Sequence, residues 1–279
     1  MLNRLILFAL TLTLAACADI SPQARRAHVD ELAVTQQWHK VLLPTDHFVL
    51  AAYLPPVTPH DDILSIYIEG DGFSWATSSR PSTDPIPRNP VGLRLAMRTP
   101  PGSAVYLARP CQYVDGANAR GCDVAYWTNK RFAPEVIDAS NQAIDALKAR
   151  FGAHRLILVG YSGGGAIAAL VAARRTDIAQ LVTVAGNLDP DAWTRLHHVS
   201  PLTGSLNPAD GWRELLDVPQ LHLVGARDRN VSAAVTHAYA NRFPASHRPT
   251  IRMVPDADHS CCWVNQWPNI LDSDTVVHR

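Results

Sequence analysis

Three residues of this chain have the types and the local contexts that nucleophilic catalysis requires. Ser162 lies in the pattern Gly160-Tyr-Ser162-Gly-Gly164, between an apolar run and an Ala-rich segment long enough for a helix. Asp228 follows a second apolar run, and His259 follows a third. A serine hydroxyl is a weak nucleophile at neutral pH, so it needs a histidine to accept its proton and a carboxylate to orient that histidine. The three residues therefore indicate acyl transfer through a covalent serine intermediate.

The glycines around Ser162 predict how the serine is presented. The apolar run at 156–159 is a predicted strand, and a helix is predicted over 164–174. A tight turn between them leaves no room for Cβ atoms, which is why glycine is needed there. The N-terminus of the helix then directs its N–H groups to the place where negative charge develops on a substrate oxygen. The alternative is a glycine-rich turn that has no catalytic role.

Strand and helix patterns alternate along most of the chain after a predicted hairpin at 38–54. Further short apolar runs predict buried strands at 63–68, 104–107, 181–185, 221–225 and 251–254. Helical patterns occupy 91–97, 134–150 and a segment beginning at Ser232. This alternation predicts a mostly parallel sheet with helices on both faces. In such a sheet the chemistry lies at the carboxyl ends of the strands, where Ser162, Asp228 and His259 all fall.

The order serine, acid, histidine resembles that of the α/β-hydrolase superfamily. The resemblance rests on Gly160-Tyr-Ser162-Gly-Gly164, on Gly225-Ala-Arg-Asp228-Arg-Asn-Val, and on Asp258-His259 with a tryptophan four residues later; it covers residues 38–279. It implies an α/β-hydrolase fold and a serine hydrolase that cleaves carboxylic esters through an acyl-enzyme, without a cofactor or a metal. Thioesters and amides stay open as substrates.

A second residue could supply the acid. Asp189 follows the strand that precedes the one leading to Asp228, and some members of the superfamily carry their acid there. Asp228 itself has another possible role, as the cap of the helix that begins near Ser232. The order of the motifs favours Asp228, and Asp189 remains the alternative.

A glycine-rich loop is predicted to complete the site. It reads Glu69-Gly70-Asp71-Gly72 and follows the strand at 63–68. By the resemblance, the backbone N–H groups of Asp71 and Gly163 form the oxyanion hole. Many members of the superfamily have His-Gly where this chain has Glu69-Gly70, so the loop departs from the common pattern. The alternative is a simple glycine turn.

Two connections are predicted to surround the site. Residues 186–219 form a long link between strands with no predicted regular structure, and we expect it to act as a cap over the active site. Its adjacent histidines, His197 and His198, are interpreted as polar surface or cap residues rather than metal ligands. The polar, proline-rich loop at 74–90 is expected to lie near the mouth of the site.

The first residues of the chain predict a targeting segment. Arg4 supplies a positive charge, and residues 5–14 form an apolar run that is too short to span a membrane. The sequence Leu14-Ala-Ala-Cys17 resembles a bacterial lipobox. The resemblance implies that residues 1–16 are a lipoprotein signal peptide and that Cys17 carries a lipid such as palmitate.

The lipobox also implies a location. Residues 17–37 would be a tether or an N-terminal helix between a lipid anchor on Cys17 and the hydrolase domain. Because Ala18 rather than aspartate follows Cys17, sorting rules for such proteins imply the bacterial envelope, anchored in the outer membrane and facing the periplasm. The alternative is an ordinary secretory peptide cleaved after Ala16 or Ala18.

Export would place the other four cysteines in an oxidising compartment. Cys111 and Cys122 flank a polar loop that contains glycine, so we expect a disulfide between them. Cys261 and Cys262 would then form a vicinal disulfide or remain thiols. Pairing between the two regions, or four free thiols, are the alternatives. No Cys-x-x-Cys or His-x-x-x-His spacing indicates a zinc site.

Composition argues against several other classes of protein. The chain has 279 residues and equal numbers of basic and acidic side chains, 25 of each, with no basic run, which disfavours nucleic acid as a partner. No Gly-x-Gly-x-x-Gly follows the first strand, which disfavours a dinucleotide enzyme. The main alternative to an enzyme is a non-catalytic envelope lipoprotein that uses the hydrolase fold as a binding module.

Overall fold

The computed structural model describes residues 21–56, 62–100 and 104–273. The predicted signal peptide, Cys17 and Ala18 lie outside this part of the chain. The strands are β1 (His39–Pro44), β2 (Val49–Leu54), β3 (Ile63–Ile68), β4 (Ala104–Leu107), β5 (Arg155–Tyr161), β6 (Ile178–Val184), β7 (Gln220–Gly225) and β8 (Thr250–Val254). The helices are α1 (Pro22–Thr35), α2 (Val91–Arg98), α3 (Pro134–Phe151), α4 (Gly163–Ala172), α5 (Pro190–His197), α6 (Ala233–Ala240) and α7 (Trp263–Asp272).

All of these strands form one sheet in the order β1-β2-β4-β3-β5-β6-β7-β8. The predicted hairpin is β1 and β2, and β2 also runs antiparallel to β4. Strands β3 to β8 all run parallel to one another. The carboxyl ends of β3, β5, β7 and β8 therefore lie along one edge, and the loops that leave them carry Asp71, Ser162, Asp228 and His259.

Helices cover both faces of the sheet, as the alternating pattern predicts. Helices α3 and α4 contribute to an apolar cluster on one face, together with Tyr239 of α6. Helices α1, α2 and α7 contribute to a second cluster on the other face. Strands β2, β4, β6 and β7 are buried along their whole length, which explains their near-continuous apolar sequences.

The N-terminal segment is a helix rather than a tether over the residues described. Ser21 caps α1 by accepting a hydrogen bond from the N–H of Ala24 at 3.1 Å, and Pro22 occupies the first helical position. Val29 and Ala33 of α1 are buried in the second apolar cluster. In residues 21–56, 62–100 and 104–273, every helix is too short or too polar to cross a lipid bilayer.

The connection at 186–219 contains regular structure that the sequence analysis did not predict. It holds α5 and two 3-10 turns, Pro208–Gly211 and Arg213–Leu215. Asp189 caps α5 by accepting from the N–H of Ala192 at 2.9 Å, and Pro190 takes the first helical position. The Asp-Pro pair is a recognisable helix start, so the expectation of an unstructured connection was wrong.

The two cysteine pairs are each bonded in this structure. Cys111 is joined to Cys122, with Cα atoms 5.6 Å apart, and Cys261 is joined to its neighbour Cys262. The sequence predicts the first bond and leaves a vicinal disulfide or two thiols open for Cys261 and Cys262, and both pairings remain predictions that peptide mapping tests. Peptide mapping of the unreduced protein should therefore find Cys111 linked to Cys122. A peptide that joins either of them to Cys261 or Cys262 would contradict this pairing.

Candidate active site

Ser162 lies on a tight turn between β5 and α4. Its φ angle is 51°, in the left-handed region that residues with a side chain rarely adopt. A Cβ atom on Gly160 would lie 2.3 Å from the carbonyl oxygen of Gly164, and one on Gly164 would lie 2.3 Å from that of Ile68. Strand and helix approach so closely that both flanking positions accept only glycine. The serine is thereby held at the carboxyl edge of the sheet.

Ser162, His259 and Asp228 form one continuous chain of hydrogen bonds. The Oγ atom of Ser162 lies 3.0 Å from Nε2 of His259, and Nδ1 of His259 lies 2.9 Å from Oδ2 of Asp228. The carboxylate favours the tautomer with the proton on Nδ1. Nε2 is then free to accept the proton of the serine hydroxyl. The three residues are far apart in sequence, and the fold brings them together.

The carboxylate of Asp228 is held in place by the oxygen that does not face His259. Oδ1 accepts hydrogen bonds from the N–H groups of Asn230 and Val231, both at 2.8 Å. The side chain of Asp228 is fully buried. The cap position of α6 belongs to Ser232, so the alternative role of Asp228 as a helix cap does not hold. One oxygen fixes the carboxylate and the other faces the histidine.

Asp189 is not part of this arrangement. Its Oδ1 atom accepts from the N–H of Ala192 at 2.9 Å and from Nδ2 of Asn207 at 3.1 Å. These contacts hold the start of α5 against the following loop. The structure brings Asp228, and not Asp189, to the histidine.

The loop that carries His259 is fixed by two aromatic residues whose role the sequence did not predict. The hydroxyl of Tyr161 donates to the carbonyl oxygen of His259 at 2.9 Å, and Nε1 of Trp263 donates to that of Asp258 at 2.9 Å. Asp258 also accepts from the N–H of Cys261 at 2.6 Å. That bond and one from the N–H of Ser260 lower the pKa of Asp258. Tyr161 and Trp263 belong to the quoted motifs, which is the only sequence signal for them.

The predicted oxyanion residues lie against each other. A Cβ atom on Gly163 would lie 2.0 Å from Oδ1 of Asp71, so the Asp71 side chain rests on the first residue of α4. Across the described residues, no hydrogen bond uses the backbone N–H of Asp71 or of Gly163. Their role as oxyanion donors remains a prediction. The Asp71 carboxylate forms ion pairs with Arg109 and Arg131, which the sequence did not predict.

Glu69, which precedes this loop, is a buried acid. Its Oε1 atom accepts from the N–H of Gly70 at 2.9 Å and of Gly92 at 3.2 Å, and Oε2 accepts from the hydroxyl of Tyr106 at 3.1 Å. Burial raises the pKa of Glu69 to about 7, although these bonds act in the opposite direction. The glutamate in place of the usual histidine therefore holds the backbone at the start of this loop by hydrogen bonds, and it also lines the cavity beside Ser162.

The raised pKa predicts a pH-dependent contribution to stability. The unfolded chain ionises Glu69 near its ordinary pKa of 4.5, whereas the folded protein keeps the proton until about pH 7. The stability of the wild type should therefore fall by about 3 kcal/mol relative to Glu69→Gln as the pH rises from about 4 to about 8. Urea unfolding of both proteins across this range measures the difference. Parallel curves would show that Glu69 is not the titrating group.

A cavity of about 440 Å³ opens over Ser162 and His259. Trp75, Arg88 and Asn89 line it, so the loop at 74–90 borders the site as predicted. In the described part of the connection at 186–219, only Trp193 lines the cavity. Residues 208–211 of that connection pack on α4 and α6 instead. Its function as a cap stays a prediction.

The adjacent histidines of α5 take structural positions in this arrangement. Nε2 of His197 lies 2.6 Å from the carbonyl oxygen of Asn230, and His198 ends α5 in a left-handed conformation. Within residues 21–56, 62–100 and 104–273, no group of three or more His, Cys, Asp or Glu side chains is placed to hold a metal ion.

Solved structures place this architecture among known proteins. The esterase Pf2001 of Pyrococcus furiosus superposes with a TM-score of 0.59 at 13% identity, covering 93% of this chain and 94% of that one. Est1E from Butyrivibrio proteoclasticus superposes with a TM-score of 0.59 at 14% identity, covering 84% of this chain and 96% of its own. An alpha-beta serine hydrolase homologue from Coxiella burnetii superposes with a TM-score of 0.55 at 16% identity, covering 83% of this chain and 93% of its own. The sequence itself matches no family model and no curated protein.

The chain therefore has the α/β-hydrolase fold that its motifs predict. Its sheet order, the serine turn after β5 and the acid and histidine after β7 and β8 all belong to that one architecture.

Proposed function

We propose that this protein is a serine hydrolase that cleaves carboxylic esters with Ser162, His259 and Asp228. The observation that carries the proposal is the continuous hydrogen-bond chain from Oγ of Ser162 through His259 to Asp228, at the floor of an open cavity. The esterases and serine hydrolases among the structural neighbours support it.

The geometry accounts for both halves of such a reaction. Nε2 of His259 takes the proton of Ser162 as Oγ attacks the ester carbonyl, and the N–H groups of Asp71 and Gly163 stabilise the oxyanion. His259 then gives that proton to the departing alcohol, which leaves an acyl group on Ser162. A water molecule, deprotonated by the same nitrogen, attacks the acyl carbon; the bond to Oγ of Ser162 breaks, Oγ takes the proton back from His259, and the acid is released. Asp228 stabilises the imidazolium at each stage.

The alternative is a binding module that uses the same fold without turnover. Nothing in ligand binding requires the alignment of Oγ, the imidazole and a buried carboxylate that this chain has. The strained conformation of Ser162 also points to catalysis, because strain of this kind concentrates at functional sites.

A panel of p-nitrophenyl esters of graded acyl length, with matched thioesters and anilides, tests the proposal. We expect steady turnover of the esters and, where deacylation is slow, an initial burst of p-nitrophenol from formation of the acyl-enzyme. If a well-folded preparation hydrolyses none of these substrates, the binding-module alternative is favoured.

We also propose that the mature protein is a lipoprotein of the bacterial envelope, anchored through Cys17 in the outer membrane and facing the periplasm. The lipobox-like Leu14-Ala-Ala-Cys17 supports this, and helix α1 would follow the anchor closely. The full chain expressed in bacteria should incorporate an alkyne analogue of palmitate, and Cys17→Ser should not. Equal labelling of the two proteins would contradict the anchor.

A further inference from the structure

We propose that Arg109 and Arg131 are positioning residues, which hold the oxyanion loop (residues 69–72) against Gly163 through the carboxylate of Asp71. This inference rests on the proposed hydrolase function. It adds to the Ser162, His259 and Asp228 chain an ion cluster that contacts Gly163, which we call the Arg109–Asp71–Arg131 cluster.

Each oxygen of the Asp71 carboxylate has its own arginine. Oδ1 lies 2.8 Å from Nη1 of Arg109, and Oδ2 lies 2.7 Å from Nη1 of Arg131. The side chains of the two arginines are only 5% and 6% exposed. Burial tends to raise the pKa of Asp71, but the charges of Arg131 and Arg109 outweigh it and hold that pKa below its ordinary value. The carboxylate is therefore ionised at neutral pH.

The arginines are themselves fixed to the segment that precedes α3. Nη2 of Arg109 donates to the carbonyl oxygen of Arg131, and Nε of Arg131 donates to that of Thr128 at 2.7 Å. The guanidinium of Arg109 also lies over the ring of Phe132, 5.4 Å from its centre. Ion pairs whose arginines are buried and hydrogen-bonded in this way leave the Asp71 carboxylate little freedom to move.

The disulfide-closed loop contributes a second contact to the oxyanion loop. Nε2 of Gln112 donates to the carbonyl oxygen of Gly70 at 3.0 Å, while its Oε1 accepts from the N–H of Arg109 at 3.2 Å. Gln112 directly follows Cys111, which is bonded to Cys122, and Arg109 lies two residues before Cys111. The carbonyl oxygen of Gly70 and one oxygen of the Asp71 carboxylate are thus both held by the short segment 109–112.

The cluster also determines the charge beside the oxyanion hole. A Cβ atom on Gly163 would lie 2.0 Å from Oδ1 of Asp71 and 3.0 Å from Nη1 of Arg109. An unpaired carboxylate so close to a developing oxyanion would repel it. Two guanidinium groups and one carboxylate give the cluster a net positive charge. The cluster can therefore fix the loop without repelling the oxyanion.

Arg109 allows a clean test because it does not line the cavity and so does not meet the substrate. For Arg109→Gln we expect kcat for a p-nitrophenyl ester to fall by about 10²-fold, the size of one lost oxyanion donor, with KM close to that of the wild type. The affinity for an alkylboronic acid, whose adduct with Ser162 mimics the tetrahedral intermediate, should fall in parallel. Arg109→Lys keeps the positive charge but loses the planar guanidinium. It should recover part of the lost kcat and part of the lost boronic acid affinity.

A matched ion cluster elsewhere provides the control. Arg175 bonds Asp177 through Nε at 2.8 Å and Nη2 at 2.7 Å, and Asp177 is 18% exposed, the same fraction as Asp71. Asp177 directly precedes β6, so it lies at the edge of the sheet opposite Ser162. Arg175→Gln should lower thermal stability and leave kcat and boronic acid affinity unchanged.

The outcomes separate this inference from the proposed function. Wild-type kcat and boronic acid affinity in Arg109→Gln would overturn the inference while leaving ester hydrolysis intact. A fall in kcat no larger than the fall in folded fraction, as for a merely structural pair, would also overturn it. If Arg109→Gln does not fold, kcat and boronic acid affinity are measured for Arg109→Lys instead, and wild-type values for both would overturn the inference. Absence of ester hydrolysis in the wild type would instead refute the proposed function.

Discussion

Replacing Ser162 with alanine is expected to lower kcat for ester hydrolysis by about 10⁶-fold, because the acyl-enzyme cannot form without the hydroxyl oxygen. The fold should tolerate the change, since the only side-chain hydrogen bond of Ser162 among the described residues is the one to His259. Alanine also fits wherever serine fits on the turn. Steady-state kinetics and thermal unfolding of the two proteins measure these effects.

Ser140→Ala is the matched control for this prediction. Ser140 is buried in α3 and donates to the carbonyl oxygen of Val136 at 2.7 Å, away from the site. Its replacement should leave kcat unchanged. Residual turnover in Ser162→Ala close to that of the wild type would refute the assignment of the nucleophile. A collapse of the fold in Ser162→Ala would show that the serine is structural.

Replacing Asp228 with asparagine is expected to lower kcat by about 10⁴-fold. The amide oxygen can still accept from the N–H groups of Asn230 and Val231, so the side chain should keep its position. An amide NH₂ then faces Nδ1 of His259 in place of a carboxylate oxygen. It favours the tautomer with the proton on Nε2, which cannot accept a proton from Ser162.

Asp189→Asn is the control that separates the two candidate acids. Its amide oxygen can still accept from the N–H of Ala192, so kcat should stay near that of the wild type, with at most a modest loss of stability. A large fall in kcat in Asp189→Asn, with Asp228→Asn close to the wild type, would reverse the assignment. Steady-state kinetics of both variants decides between them.

Features that depend on local sequence were predictable. Strand β3 begins and ends at the residues predicted, 63 and 68, because its apolar run is bounded on both sides. The glycines of the serine turn indicated close approach of strand and helix, and the 2.3 Å clash of an added Cβ at Gly160 gives the reason. Asp228 and His259 could be proposed from their order, their local motifs and their position just past a strand, and their catalytic roles stay a prediction.

Features that depend on contacts between distant residues were not predictable. Arg109 and Arg131 lie 38 and 60 residues from Asp71 in sequence, and no spacing rule links them. Helix α7 was also missed, because Pro268 interrupts its helical pattern. The helix follows Cys262, which has a left-handed conformation, and it buries Trp263 and Trp267. Tertiary packing, rather than helix propensity, stabilises such a helix.

Labelling with a fluorophosphonate probe shows whether Ser162 is an activated nucleophile, because the probe reacts with a serine only when a base activates it. The full wild-type chain and Ser162→Ala would be treated side by side, and the labelled peptide mapped by mass spectrometry. We expect the wild type to be labelled at Ser162 and the variant to remain unlabelled. A folded wild type that is not labelled, or equal labelling of both proteins at another residue, would contradict it.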